Sequence, residues 1–345
     1  MTLTVGIVLA VLGYVAAGWW GERAERAARA VAEEALPGGL RVLQVEPPDP
    51  VNAPDGSRTV LAVPVDDPDA AVRFPLPSDG RCDATCLEQV RDATELARGR
   101  AVEHRVLVAT AAGCGLEIAG VTGIDRSDRR SRDADNPVLL VGVTVVADVR
   151  PDAGAALTDR LDRCAADLVA ARARSADSGP GGTAELDVSV VAPDAAGLAE
   201  PVDPALPAVE RAARSARAVA AQVRHATTVT AGPGGEHPPS RTTFGPVLDV
   251  EGQHRVHGAA TGALRWHLDA TDVEIVGNPR LRDRAVYLPG TLERARFYTV
   301  FGTLTPGERL IGAVDVDVDG ADPVVARVFA GSEYAFPYDP DLHGG

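Results

Sequence analysis

The sequence predicts an α+β protein that begins with an N-terminal transmembrane helix, continues as a mixed sheet with packed helices, and ends in a β-rich C-terminal module, a barrel or sandwich. Residues 2–20 carry no charge, residues 40–200 alternate between strand-like and helix-like patterns, and residues beyond 241 are rich in short strand-like segments. The predicted parts are an anchor at 1–21, a helical stalk at 22–39, an α+β domain at 40–200, a long helix of that body at 201–230, a linker at 231–241 and the β-rich module at 242–345.

The first segment has the length of a membrane span. Residues 2–20 form an uncharged run, and roughly 20 apolar residues suffice to cross the hydrocarbon core. Trp19 and Trp20 stand where an aromatic membrane anchor belongs. A cleaved signal peptide is the alternative, because residues 15–17 are small, but the usual positive segment before the apolar run is missing.

Helix signals continue after this run. Residues 22–36 are rich in Ala, Glu and Arg, and Pro37-Gly38-Gly39 is predicted to end the helix. Its charges, three and four residues apart, favour a solvated stalk over a seam for another helix.

The body is predicted to alternate strands and helices. Asp83 is expected to cap a helix that ends near Arg98, because Gly99 follows. A second helix after Asp152 or Thr158 directs Cys164 towards the core. The segments that predict strands are Arg41–Val45, Thr59–Val65, Arg105–Thr110, 116–124, Val138–Val149 and Glu185–Val191.

Gly and Pro concentrate in residues 231–241, which predicts a linker. The segments beyond it that predict strands are 245–250, 262–268, 272–276, 296–303, 309–318 and 323–330. So many short strands predict a small barrel or sandwich.

The charged residues exclude several classes of protein. All 34 basic residues are Arg, so Schiff-base chemistry and phosphate loops that need a Lys are excluded. A net charge of −15 argues against a nucleic-acid partner. The local basic segment 280–296 is interpreted as a solvated loop, with a docking face for an acidic partner as the alternative.

The four cysteines help to predict the cellular compartment of the body. The preferred pairing, if the body is outside the cytoplasm, joins Cys82 to Cys86 and Cys114 to Cys164; redox and zinc roles are less favoured because the spacings do not fit them. Arg residues after the apolar run favour a cytoplasmic body by the positive-inside rule. The cysteines favour the other side, so the predicted location is a single-pass position in the cell membrane with an extracytoplasmic body.

Two clusters are candidates for binding a metal. Asp315, Asp317 and Asp319 match the first half of a calcium loop, but Ala326 stands where its bidentate Glu belongs, so a hairpin is favoured. His254, His257 and His267 are interpreted as surface histidines, because residues three apart on a strand point to opposite faces. No cofactor is expected, and calcium is the alternative.

These features predict a membrane-anchored, non-catalytic binding or scaffold/sensor protein of the bacterial envelope. Its expected partners are the membrane and another protein, without nucleic acid; the sequence defines no small-molecule ligand. Two alternatives are an anchored hydrolase, metal-assisted through the Asp or His cluster, and a tethered regulator that faces the cytoplasm.

Overall fold

The chain has an α+β fold. The computed structural model describes residues 21–48, 51, 53, 55–127, 138–150, 154–174, 182–196, 201–232, 244–268, 285–302 and 309–330. The helices are α1 (residues 21–35), α2 (Ala84–Gly113), α3 (Gly154–Arg174), α4 (Pro193–Ala196), α5 (Ala208–Val219) and α6 (Val250–His267). The strands are β1 (Leu40–Val45), β2 (Arg58–Pro64), β3 (Val72–Leu76), β4 (Glu117–Ser127), β5 (Val138–Val146), β6 (Ala184–Val191), β7 (His225–Ala231), β8 (Gly245–Pro246), β9 (Ala285–Tyr287), β10 (Arg294–Gly302), β11 (Arg309–Asp317) and β12 (Val324–Ala330).

The strands within these ranges form three sheets, one mixed and two antiparallel. The orders are β1-β2-β3, β4-β5-β6-β7-β8 and β12-β11-β10-β9. The chain divides into two compact units, one drawn from Met1–Arg105 and Pro201–Arg214, the other from Val106–Glu200 and Ser215–Gly345.

The first unit packs α1 against the three-stranded sheet. Ala24, Ala28, Val31 and Ala35 lie in one buried cluster with side chains of β2, β3 and α2. The helix forms and ends before Pro37-Gly38-Gly39 as predicted, and Gly38 takes a φ of 66° that favours glycine. The stalk interpretation was wrong, because the small residues of α1 form an apolar stripe that is buried in this core.

Helix α2 is longer than the sequence indicates. Asp83 caps it, since its Oδ1 accepts a hydrogen bond from the Cys86 backbone N–H at 2.9 Å. The helix then continues through Gly99 and through Arg105–Thr110, the segment predicted as a strand. The strand prediction was wrong because buried residues recur at helical spacing along α2, and the burial outweighs the low helix propensity of one glycine, about 1 kcal/mol. These residues are Ala97, Ala101, Leu107 and Ala111.

The second unit contains the mixed sheet. Strands β5 and β6 are parallel and α3 connects them, whereas the other neighbours pair antiparallel.

The predicted long helix at 201–230 was wrong in its length. Helix α5 ends at Val219, a 3-10 turn covers Ala220–Gln222, and β7 follows. Ala226 and Val229 are buried in β7 beside β6, which explains why this segment is a strand.

The C-terminal part is a four-stranded antiparallel sheet covered by α6, so the barrel or sandwich prediction was wrong in the described residues. The segment 262–268, predicted as a strand, lies in α6 and its terminal turn. Val256, Ala260 and Leu264 recur at helical spacing and pack on this sheet. Gly312 of β11 permits the close approach, because a Cβ there would lie 2.5 Å from Leu264 Cδ2.

The prediction of a transmembrane helix is not met in the described residues. No helix among the described residues is long and apolar enough to cross a bilayer. Residues 2–20, with Trp19 and Trp20, lie outside the described ranges, as do most of the predicted linker 231–241 and residues 280–284 of the basic segment. The rest of that segment, 285–296, contains β9, a turn and the start of β10, and Arg296 is buried, so the solvated-loop interpretation was wrong there.

Candidate functional site

Each of the three aspartates of the candidate calcium loop accepts hydrogen bonds from a partner of its own. Asp315 accepts hydrogen bonds from Arg296 Nε at 2.7 Å and Nη2 at 3.0 Å, and Asp317 pairs with Arg294 at 2.7 Å. Each Arg lies directly opposite its Asp across β10 and β11. Asp319 accepts a hydrogen bond from the Ala321 backbone N–H in the following turn. This arrangement is a hairpin with two cross-strand ion pairs.

The three histidines of the other candidate cluster lie on helix α6. His254 and His257 are one turn apart on neighbouring positions, so the interpretation that placed them on opposite faces of a strand was wrong. No group of three or more His, Cys, Asp or Glu side chains within the described ranges comes close enough to hold a metal ion. The metal-assisted hydrolase therefore has no assembled centre in this part of the chain.

The four cysteines form two pairs at disulfide distance. Cys82 and Cys86 have Cα atoms 5.3 Å apart, and those of Cys114 and Cys164 are 5.8 Å apart. This is the connectivity that the sequence favours. The second pair joins the end of α2 to α3, across 50 residues of chain.

A small cavity adjoins the second cysteine pair. It has a volume of about 20 Å³ and is lined mostly by apolar side chains of α2, α3 and the mixed sheet, including Leu107, Val143, Leu161 and Cys164. Sites for small organic ligands are much larger, about 300–1,000 Å³. The cavity has room for about one water molecule and lacks the polar groups that would hold one.

The first unit has one buried carboxylate with two partly exposed arginine partners. The Glu210 side chain is 5% exposed and lies 2.9 Å from Arg73 Nη2 and 2.8 Å from Arg214 Nε. Burial alone raises the pKa of Glu210, but hydrogen bonds from Arg214 and Arg73 outweigh it and lower that pKa. Glu210 is thus a charged structural link between α5 and β3.

An aromatic cluster joins β7 to β9 in the second unit. His225 Nδ1 lies 3.0 Å from the Tyr287 hydroxyl, and the Phe244 ring stacks on His225 at a centroid distance of 5.5 Å. Burial lowers the pKa of His225, with a smaller effect from Arg224, and burial raises the pKa of Tyr287. Both side chains are therefore neutral near pH 7, which suits a packed contact.

Acid should destabilise the protein, because three of its histidines are buried or half-buried. Burial is the main cause of the lowered pKa of His104, His225 and His257. At His104 the nearby Asp69 raises the pKa, whereas Arg105 and Arg211 lower it further. At His257 the neighbouring His254 also lowers the pKa. His257 Nδ1 is also enclosed without a hydrogen-bond partner in the described residues.

As the pH falls through about 6.5, the unfolded chain binds protons that these folded histidines do not bind, so the free energy of unfolding decreases. Each histidine contributes a slope of at most about 1.4 kcal/mol per pH unit. Urea unfolding between pH 7.5 and 5.5 measures this loss. Replacing the three histidines with Gln should flatten the dependence, and a wild-type free energy that stays constant over this interval would contradict the prediction.

The outer face of α6 carries the most exposed large aromatic side chain in the described residues. Trp266 is 90% exposed, and Val250 at the start of the helix is 69% exposed. Gly258 and Gly262 lie between them on the solvent side, and a Cβ at either position would meet nothing within 4 Å. The fold therefore gives no internal reason for these two glycines.

Sequence reasoning missed this face because it treated 262–268 as a strand. Residues 254, 258, 262 and 266 recur four apart, which is the helical spacing that places His254, both glycines and Trp266 along one side. That spacing could have identified the face.

Comparison with known proteins adds no functional information: the chain matches no family model, no curated protein and no solved structure.

Proposed function

We propose that this chain is a non-catalytic protein-binding module and that it docks its partner on the outer face of α6. This face consists of His254, Gly258, Gly262, Arg265 and Trp266, and it is called the α6 face below. The observation that carries the proposal is Trp266, a large side chain left 90% exposed on a regular helix. Trp is among the residues that contribute most binding energy when a partner covers them.

The two glycines support the same proposal. Gly in the middle of a helix costs about 1 kcal/mol relative to Ala, and nothing within 4 Å of either Cβ position explains the cost here. A flat strip between His254 and Trp266 lets another backbone come close to the helix. Hydrolysis has less support, because the Asp and His clusters form no shared centre in the described ranges.

The compartment forms part of this proposal. We infer that the module works where disulfides form, because all four cysteines lie in two pairs at bonding distance. Labelling with a maleimide before and after reduction, in intact cells that make the protein, tests this inference. Labelling only after reduction supports it, and thiols that react without reduction contradict it.

Site-specific photocrosslinking tests the docking face. Benzoylphenylalanine replaces Trp266 in the full chain, and the control places it at Arg163, an exposed residue of α3 in the same unit. We expect one discrete adduct from position 266 and none from 163 after irradiation of cells that make the protein. Adding Gly258→Gln and Gly262→Gln should abolish the adduct without unfolding the protein, because both positions have free space.

Two results would contradict the proposal: no adduct at position 266, or an adduct that survives both glycine replacements. Thermal unfolding of the glycine variants provides the folding control. Replacing an exposed helix glycine with Gln should leave stability unchanged or raise it by less than about 1 kcal/mol per site.

A further inference from the structure

The α6 face carries no acidic side chain. Acidic residues make up 49 of 345 positions, so a run of 16 residues would hold about two on average. Residues 252–267 of α6 hold none. Their charged or ionisable residues are Arg255, Arg265 and the three histidines of the helix.

One exposed Arg lies next to Trp266. Arg255 is paired with Glu251 at 2.8 Å one turn away, so these two charges largely cancel. Arg265 is exposed and forms no ion pair within the described residues, and His267 follows Trp266 directly. Basic residues in a last helical turn also stabilise the helix dipole. That effect does not account for the exposure of Trp266 or for the lack of carboxylates along the whole face.

An aromatic anchor with an exposed guanidinium beside it fits a partner that offers a carboxylate and an apolar side chain close together. Arg and Trp are both enriched among residues that dominate binding energy. Opposite charge across the contact raises the association rate and selects the register, while apolar contact with Trp266 contributes affinity. With a net charge of −15 the chain as a whole repels an acidic partner, so the attraction at Arg265 is local.

We propose that the partner segment recognised by the α6 face is an acidic protein segment that carries aliphatic or aromatic side chains. This inference rests on the proposed function and names the chemistry of its partner. Glu or Asp of the segment pairs with Arg265, an apolar side chain covers Trp266, and the segment's backbone lies along Gly258 and Gly262.

Fluorescence anisotropy with a defined probe tests the proposal. The probe is a fluorescein-labelled 16-residue amphipathic peptide of Glu and Leu, and the protein is the full chain. We expect saturable binding that weakens at higher salt and falls by about tenfold or more in Arg265→Glu and in Trp266→Ala. Arg163→Glu is the matched control: it makes the same charge change on α3 and should alter binding far less.

The matching peptide of Lys and Leu defines non-specific attraction to the acidic body. Its binding, if any, should not weaken in Arg265→Glu or Trp266→Ala. Equal binding of the Glu peptide to wild type and both variants would overturn the proposal, as would its failure to bind. Binding that depends on Arg265 and Trp266 but occurs only with vesicles of anionic lipid, or only with a single-stranded oligonucleotide, would also overturn it.

Photocrosslinking separates the two proposals. A specific adduct at position 266 without binding of the acidic peptide would support the docking face and contradict only the proposed chemistry of the partner. The absence of the adduct together with the absence of peptide binding would contradict both proposals.

Discussion

Replacing Asp315 with Ala should destabilise the protein by about 3 kcal/mol or more, because it removes the carboxylate that pairs with the buried Arg296 guanidinium. The Arg296 side chain is 9% exposed and that of Asp315 is 16% exposed. Two hydrogen bonds, at 2.7 and 3.0 Å, join the guanidinium to both carboxylate oxygens. Urea unfolding followed by circular dichroism measures the difference.

The matched control is Asp319→Ala in the adjoining turn. Asp319 is exposed and its Oδ1 accepts one backbone hydrogen bond, so its removal should cost about 1 kcal/mol or less. If Asp315→Ala cost no more than this control, the buried ion pair would not be an important contribution to stability.

The same variants test calcium binding. Because Asp315 and Asp317 are occupied by arginines, millimolar calcium should leave the unfolding midpoint of the wild-type protein unchanged. A calcium-dependent rise that disappears in Asp315→Ala would show that the loop binds the ion after all.

Replacing Cys114 and Cys164 together with Ala should lower stability by about 4 kcal/mol, because a cross-link over a loop of this length removes much entropy from the unfolded chain. The two residues are 50 positions apart. Cys82 and Cys86 are only 4 apart, so the corresponding double replacement should cost about 2 kcal/mol. Urea unfolding of both double variants without reductant gives the comparison.

Reduction of the wild-type protein is the control for side-chain loss. Cys164 is buried, so Ala there also removes packing, whereas a reductant opens the cross-link and keeps both sulfurs. Reductant also opens the Cys82–Cys86 pair, so reduced wild type is compared with the variant that lacks Cys114 and Cys164 in the same reductant. Any difference that remains there measures the lost side-chain packing. Equal stability with and without reductant would mean that the long-range pair contributes no cross-link.

Local signals predict two helix boundaries correctly in this chain, although Gly99 does not end α2 as expected. Pro37-Gly38-Gly39 ends α1 because Gly38 adopts a positive φ, and Asp83 caps α2 through its carboxylate. Both effects act within a few residues, so the sequence contains everything needed to recognise them.

Predictions that depended on distant contacts were less successful. Arg105–Thr110 is rich in β-branched residues, yet it is helical because its buried positions continue the apolar stripe of α2. The alanines of α1 look like a solvated stalk until β2 and β3 cover them. Likewise, Asp315 and Asp317 resemble metal ligands in the sequence, since Arg294 and Arg296 are about 20 residues away and meet them only across paired strands.

The candidate docking face can be recognised only when the secondary structure of this segment is known. When 262–268 is treated as a strand, Trp266 alternates with its neighbours, and the relation to Gly258 and Gly262 is lost. In a helix the same residues share one side. The exposure of Trp266 depends on which face of α6 the sheet covers, which the apolar positions 256, 260 and 264 determine.

The discontinuous first unit affects how the protein is synthesised. Residues up to Arg105 leave the ribosome long before Pro201–Arg214, the segment that supplies Glu210 to Arg73. At about 5–20 residues per second, synthesis of the intervening chain takes roughly 5–20 s. During that interval the nascent first unit has β1–β3 and α1 but lacks the buried carboxylate of α5. Its folding on the ribosome can be completed only when the late segment arrives.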